Sequence, residues 1–243
     1  MKSLTFILIS LASGAIAGVV LAGMNMLLVE PYVDKAIGFE TNNAIAAGEH
    51  IDSIEQDSYR TWQKSASFVA GAILGMAYGS LLGIVYAFSR KALPFHGDDR
   101  KKAVFLSLVM CAVLFVVPFI KYPGNPPAVG NPETIYLRET LYLGMLAVSA
   151  ISALCLGVLL YRLRGHTKHI SLVVPLVYAA MVCAAFVLFP SNPDKIPIPV
   201  DLVNSFRVVS GLTMVVFWMA LGVVFGLLWH KLKPHEPSKI TSI

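Results

Sequence analysis

Apolar runs, each close to the ~20 residues needed to cross a hydrocarbon layer ~30 Å thick, recur along this chain and are bounded by charge, Pro or Asn clusters. They fall at roughly Leu4–Val29, Ser65–Phe88, Ala103–Ile120, Leu141–Tyr161, Ile170–Phe189 and Phe206–Trp229. Helices are the one spanning form whose backbone hydrogen bonds close within a single segment, so each run reads as a helix. Hydrophobic residues make up 56% of the chain against 14% charged, too little polar surface to coat a soluble globule. The expectation is all-α: a polytopic membrane helix bundle of about six transmembrane helices, forming a single transmembrane domain over 1–243. The first run contains the small residues Ala12-Ser13-Gly14-Ala15, as a cleaved signal peptide would, but its apolar stretch continues to Val29. Five spans would remain if it were removed.

Charge sets the expected orientation. Arg90, Lys91, Arg100, Lys101 and Lys102 lie between spans two and three, Arg162, Arg164 and Lys168 between four and five, and Lys231, Lys233 and Lys239 after the last. These belong on the cytoplasmic side, which puts both termini inside a cell membrane. The first outer loop, residues 31–64, is acidic, with Glu40, Glu49, Asp52, Glu55 and Asp57 among its residues. The net charge of +5 is clustered beside apolar runs and is not interleaved with aromatics, so no nucleic-acid partner is expected. Cys111, Cys155 and Cys183 all fall in apolar runs without CxxC spacing and read as small core residues.

An internal repeat follows from the arginines. Arg60, Arg138 and Arg207 precede or open the even spans, and in each case a glycine starting a Leu-rich step stands nineteen positions on, at Gly79, Gly157 and Gly226. The odd spans end in Glu30-Pro31, Tyr122-Pro123 and Phe189-Pro190. This predicts three parallel helical hairpins, roughly 1–89, 103–162 and 170–230, about a pseudo-threefold axis, a kind of repetition found in transporters. Gly14 and Gly18, with Gly71, Gly75, Gly79 and Gly83, form small-residue stripes suited to close helix contact within the chain.

The segment Lys121-Tyr122-Pro123-Gly124-Asn125-Pro126-Pro127-Ala128-Val129-Gly130-Asn131-Pro132 cannot be regular helix, and its unpaired carbonyls could line a vestibule, coordinate a cation or simply form a rigid turn. This phrase resembles the hallmark loop of the CbtA family of probable cobalt transporter subunits. Ile198-Pro199-Val200-Asp201-Leu202, continuing to Phe206-Arg207 and Ser210, resembles that family's second signature, and Glu30-Pro31 fits it as well. The resemblance covers nearly the whole chain and implies cobalt import, a cobalt ion as substrate without a permanently bound cofactor, and a small single-span His-rich partner subunit (CbtB-like). The signature residues together with the possible ion pathway are Asn25, Glu30, Lys121, Tyr122, Pro123, Asn125, Pro126, Pro127, Gly130, Asp201, Phe206 and Arg207.

Cobalt(II) takes imidazole, carboxylate and carbonyl ligands. His50 lies with Glu49 and Asp52 in the acidic outer loop, which makes either a loose metal-capture site or a solvated turn. His166 and His169 are spaced as a helical pair beside Arg164 and Lys168, His96 adjoins Asp98 and Asp99, and His230 and His235 flank the last span, all toward the expected cytoplasmic side. No ionisable residue falls centrally in any of these runs, which leaves Asn25, Met24, Met26, Glu30, hydroxyls and loop carbonyls for a path. The three arginines could close a cation-repelling ring or, as the bidentate fork of Arg favours, pair with Glu30, Glu133, Glu139 and Asp201 to pin the outer loops.

Neither a P-loop, nor HExxH, nor Gly-x-Ser-x-Gly occurs, so no enzyme is expected. The readings are a membrane subunit of a cobalt or related divalent-metal importer, and a non-transporting membrane scaffold or assembly subunit.

Overall fold

The computed structural model describes residues 3–50, 52–95, 97–163 and 169–235. His96, Arg164, His166, Lys168 and Lys239 lie outside the described residues. The architecture is all-helical, with no strand among the described residues: α1 (Ser3–Met24), α2 (Glu30–Ala46), α3 (Ser53–Ser89), α4 (Asp99–Cys111), α5 (Val117–Lys121), α6 (Ile135–Leu163), α7 (Ile170–Leu188) and α8 (Val200–Leu232). Among the described residues six continuous helices are long and apolar enough to cross a membrane: Ser3–Ala46, Ile54–Ser89, Asp99–Lys121, Pro132–Leu163, Ile170–Leu188 and Val200–Leu232. Their outward faces are apolar as well, with Leu27, Phe88, Val187 and Leu188 among the most exposed side chains, as lipid-facing residues should be.

Two expectations are corrected. The first outer segment, 31–64, is not a loop. Helix α2 covers its start and α3 its end, and just after α2 Gly48 takes the left-handed backbone (φ 86°) that commonly ends a helix. Asp52 then caps α3, its Oδ1 accepting from the N–H groups of Ile54 at 2.9 Å and Glu55 at 3.3 Å. Nor does Pro31 stop the first span. A π-helical turn over Asn25–Val29 widens the helix just before it, so the ring enters at the start of α2, where a missing N–H is tolerated. The same device recurs in the third span, where a π-turn over Ala112–Val116 precedes Pro118.

The chain divides into two compact units, residues 1–109 with 212–243, and residues 110–211. In the first, α1 and α3 pack backbone to backbone. A Cβ on Gly14 or Gly75 would overlap the carbonyl oxygen of the other, and Gly18 and Gly71 face each other in the same way. Without a hydrophobic drive between helices in lipid, such close approach is how spans gain packing attraction. The same unit joins α4 to the latter part of α8 through Ser107 Oγ, which donates to the Trp218 carbonyl at 2.5 Å. Among the fully buried aromatics Phe225 stacks on Trp229, Tyr86 stands edge-on to both, and the Tyr86 hydroxyl donates to Asp99 Oδ1 at 3.0 Å.

In the second unit, α6 packs on α7 through Leu156, Ile170 and Val174. The buried Ser149 of α6 donates to the Val113 carbonyl at 2.6 Å and lies 2.7 Å from the Tyr178 hydroxyl. The three glycines of the sequence repeat sit differently: Gly79 and Gly226 are pressed against neighbouring helices, whereas Gly157 faces open space. All three cysteines are free thiols, but only Cys111 is a core residue as expected; Cys155 and Cys183 are exposed on apolar helix faces.

Candidate functional site

Pro123, Pro126 and Pro127 end α5 at Lys121, and the segment that follows folds against the segment after α7. Lys121 Nζ reaches the end of α7, donating to the Phe186 carbonyl at 2.8 Å, one of the orphan acceptors that a helix C-terminus leaves. The Tyr122 hydroxyl donates to the Pro190 carbonyl at 2.6 Å. Asn125 Oδ1 accepts from Arg207 Nη2 at 2.6 Å, which ties the loop to the first turns of α8.

Further along, Asn131 turns the chain back into helix. Its Oδ1 accepts from Glu133 N, and its carbonyl accepts from Arg138 Nη2 at 3.2 Å. Its own N–H donates to Asp194 Oδ2 at 3.1 Å. Arg138 Nε stands 3.0 Å from that same carboxylate oxygen, and the Thr134 hydroxyl is 2.7 Å from Asp194 Oδ1. The Asp194 side chain is only 3% exposed. The hydrogen bond from Thr134 lowers its pKa most, partial burial works against this, and the Asn131 N–H and the Arg138 charge add to the lowering. Gly130 carries φ 124°, and a Cβ there would run into the Arg138 guanidinium, so glycine meets both a backbone and a space requirement at this one position. The result is a clasp in which loop 121–132 and loop 189–199 are bound to each other and to the starts of α6 and α8. It borders an open hollow of about 400 Å³ lined by Ala128, Asn131, Thr134, Pro193, Asp194 and Lys195.

Arg60 is placed in the first unit, where its Nη2 bonds to Glu30 and, at 2.9 Å, to Asp34 Oδ1, with Lys64 Nζ 2.7 Å from Asp34 Oδ2. Every one of the three arginines thus bonds a segment outside its own helix, but the partner set differs from the expected one. Glu30 is engaged. Glu133, Glu139 and Asp201 have no arginine partner among the described residues, and Asp194 and Asn125 take their places. Asp201 lies exposed in the first turn of α8, where a carboxylate favours the positive end of the helix dipole, and Phe206 follows on the same helix, half-buried.

The metal-capture group expected at Glu49, His50 and Asp52 is not assembled. Asp52 Oδ1 is committed to capping α3, and the other two are exposed on the turn. Among the described residues no three His, Cys, Asp or Glu side chains converge as a metal group. His169 stands just before α7, and His235 stacks on Trp229.

Reading the sequence alone missed Asp194, Thr134 and Asn131. The signal that could have found them is the Pro-x-Asn-Pro echo at Pro123–Pro126 and Pro190–Pro193, because the second copy is followed directly by Asp194.

Six membrane-length helices and a clasp built on Pro/Asn loops define a polytopic helical membrane protein. The chain belongs to the CbtA family, the probable cobalt transporter subunits, whose model matches residues 4–230. The match takes in α1, the clasp and nearly all of α8. Neither a curated protein nor a solved structure matches the chain.

Proposed function

We propose that this chain is the permease subunit of a cobalt importer, in which the clasp shapes the outer mouth and the spans carry the ion. One observation carries the reading: a family of probable cobalt transporter subunits accounts for residues 4–230, and those residues include six helices able to cross a membrane. The basic clusters around Arg90, Lys91 and Arg100 to Lys102, and at Lys231, face the cytoplasm together with both termini, and the clasp faces outward. The domain is single, with hairpin repeats roughly 1–89, 103–162 and 170–230. Helix α1 stays in the mature protein, because its glycine face is the surface on which α3 packs.

Asp194 is bonded by Thr134 and Asn131 and paired with Arg138, so its first role is to hold the mouth together. An ion passing through this chain therefore meets amide and carbonyl oxygens, and the imidazoles come from a small single-span His-rich partner subunit. The scaffold reading draws on the same lack of a converging three-residue metal group among the described residues.

Radiolabelled cobalt uptake in cells with and without the chain, each with and without the partner, tests the choice. Uptake that requires the chain and is competed by nickel more than by zinc supports a permease. Uptake unchanged by deletion under cobalamin limitation establishes the scaffold.

A further inference from the structure

Three helix ends of the first unit meet. The hydroxyl of Tyr86, in the last turn of α3, bonds to Asp99 Oδ1 at the start of α4 at 3.0 Å. The Tyr86 ring stands 4.8 Å from that of Trp229, near the end of α8. A Cβ on Gly226 of α8 would lie 3.0 Å from Arg100 Cα, so α8 also touches the start of α4. The charges gathered there do not balance. Asp98 takes Arg100 at 3.8 Å and Lys101 at 3.6 Å, and Asp99 is bonded to Tyr86. Among the described residues no carboxylate stands within ion-pair distance of Arg90, Lys91, Lys102 or Lys231.

Arg90 is the best placed of these. Its half-buried guanidinium lies over the Trp229 ring, 5.7 Å from the centroid, and makes no side-chain hydrogen bond among the described residues. Trp229 is itself fixed, fully buried, with Phe225 stacked on it at 5.4 Å and His235 at 6.2 Å. An aromatic face holds a guanidinium by its flat side and leaves the N–H groups at its edge for an anion, and that fork matches phosphate geometry. What the anion is attached to follows from the neighbouring faces. On α3 the exposed Leu81, Ile84 and Phe88 run in helical register toward Lys91, and on α8 Val223 and Leu227 run toward Lys231. A soluble anion would meet only the cations. A phospholipid meets both, with its acyl chains along the apolar stripes and its phosphate at their basic ends.

We propose that Arg90 on its Trp229 seat, flanked by Lys91 and Lys231, binds the phosphate of an anionic phospholipid. The site lies wholly within the first unit. It depends on neither the transport reading nor the direction of insertion, because it uses only the meeting of α3, α4 and α8 and the apolar faces beside it.

Native mass spectrometry of the full-length protein, released from micelles doped with phosphatidylglycerol or phosphatidylcholine, tests the site. Wild type should hold phosphatidylglycerol more tightly than phosphatidylcholine. Arg90→Gln should weaken phosphatidylglycerol binding roughly fivefold, the scale of one basic residue at a lipid surface, and leave phosphatidylcholine unmoved. Lys35→Gln removes a cation that also lies over an aromatic ring, Tyr32 at 5.9 Å, but on α2, and should change neither. Lys91→Gln combined with Lys231→Gln, both at exposed positions, decides the matter should Arg90→Gln fail to fold, and should weaken phosphatidylglycerol roughly fivefold or more. Equal retention of the two lipids by wild type overturns the proposal. So does phosphatidylglycerol binding within about twofold of wild type in every folded variant at Arg90, Lys91 and Lys231. If millimolar inorganic phosphate raises the thermal midpoint of wild type but not of Arg90→Gln, and phosphatidylglycerol raises neither, the site belongs to a soluble anion and the lipid assignment falls.

Discussion

The α1–α3 seam and the clasp each hold their own unit together, by opposite means. In the seam, Gly14, Gly18, Gly71 and Gly75 contribute no side chain at all, and the attraction comes from backbones brought to contact. In the clasp, backbone regularity is forbidden by proline, and Lys121, Tyr122, Asn131, Arg138, Asp194 and Arg207 supply the bonds. The division follows the solvent. Helices in lipid gain nothing from hiding apolar surface, so shape has to serve, whereas loops at the water face can exchange hydration for directed hydrogen bonds. The seam should therefore respond to volume and ignore pH, and the clasp should respond to polarity and charge.

The largest effect is expected from volume in the seam. Gly75→Leu drives a side chain into the Gly14 carbonyl and against Gly18 Cα, and the approach has no slack, because the opposing atoms are backbone. Overpacking of this kind costs about 3 kcal/mol. The expected outcome is a large loss of membrane-inserted protein and a lower thermal midpoint in detergent. Gly157→Leu, where nothing stands within 4 Å of an added Cβ, is the contrast and should be close to neutral. Equal behaviour of the two variants would mean that the seam is not under packing constraint.

Charge in the clasp comes next. Asp194→Asn keeps the shape, removes the charge paired with Arg138 and leaves one acceptor oxygen for Asn131 and Thr134 in place of two. It should lower the thermal midpoint less than Gly75→Leu and open loop 121–132 to limited proteolysis. The pH dependence has a definite sign. The Asp194 pKa is depressed in the folded protein, so its contribution is complete above the unfolded value of about 3.9 and is lost as pH falls through the lower folded value. Loop protection should hold at neutral and mildly acidic pH and disappear only below about pH 4. A midpoint between pH 5 and 7, measured by the same proteolysis, would show that some group other than Asp194 controls the clasp.

Much of the bundle was legible because bilayer residence needs only length and composition. The six spans are found near the expected runs, each extended where polar helix continues beyond the apolar part, as α3 does back to Ser53. What could not be read depends on geometry between residues. Hydropathy sees Pro31 as a stop, and a π-turn that lets the helix pass through it leaves no mark on apolar spacing. For the same reason Tyr122-Pro123 was set opposite Glu30-Pro31, although the π-turns put Pro118 in that position. Arginines announce that they need partners, but which acceptor meets Arg138 is decided by how a distant loop folds back, and nearby Glu133 and Glu139 look just as suitable in one dimension. Glu49, His50 and Asp52 are adjacent in sequence and still do not converge, since capping a helix is the stronger local use of Asp52.

The smallest effect, and the finest probe of the contrast between seam and clasp, belongs to Arg207. Its Nη2 makes one bond of 2.6 Å to a neutral acceptor, Asn125 Oδ1, whereas Arg138 meets a carboxylate and a carbonyl. A single charge-assisted bond at a partly exposed site contributes about 1 kcal/mol. Arg207→Ala should therefore cost less stability than Asp194→Asn. Because Asn125 sits in the family loop, the variant should also reduce cobalt accumulation by loosening the mouth. A double-mutant cycle with Asn125→Ala isolates the bond from the bulk of the guanidinium. Coupling near 1 kcal/mol in thermal unfolding is the expected result. Coupling indistinguishable from zero, with cobalt accumulation at the wild-type level in Arg207→Ala, would remove Arg207 from the clasp and leave the Arg138–Asp194 pair and the Lys121 and Tyr122 bonds to hold the two loops together.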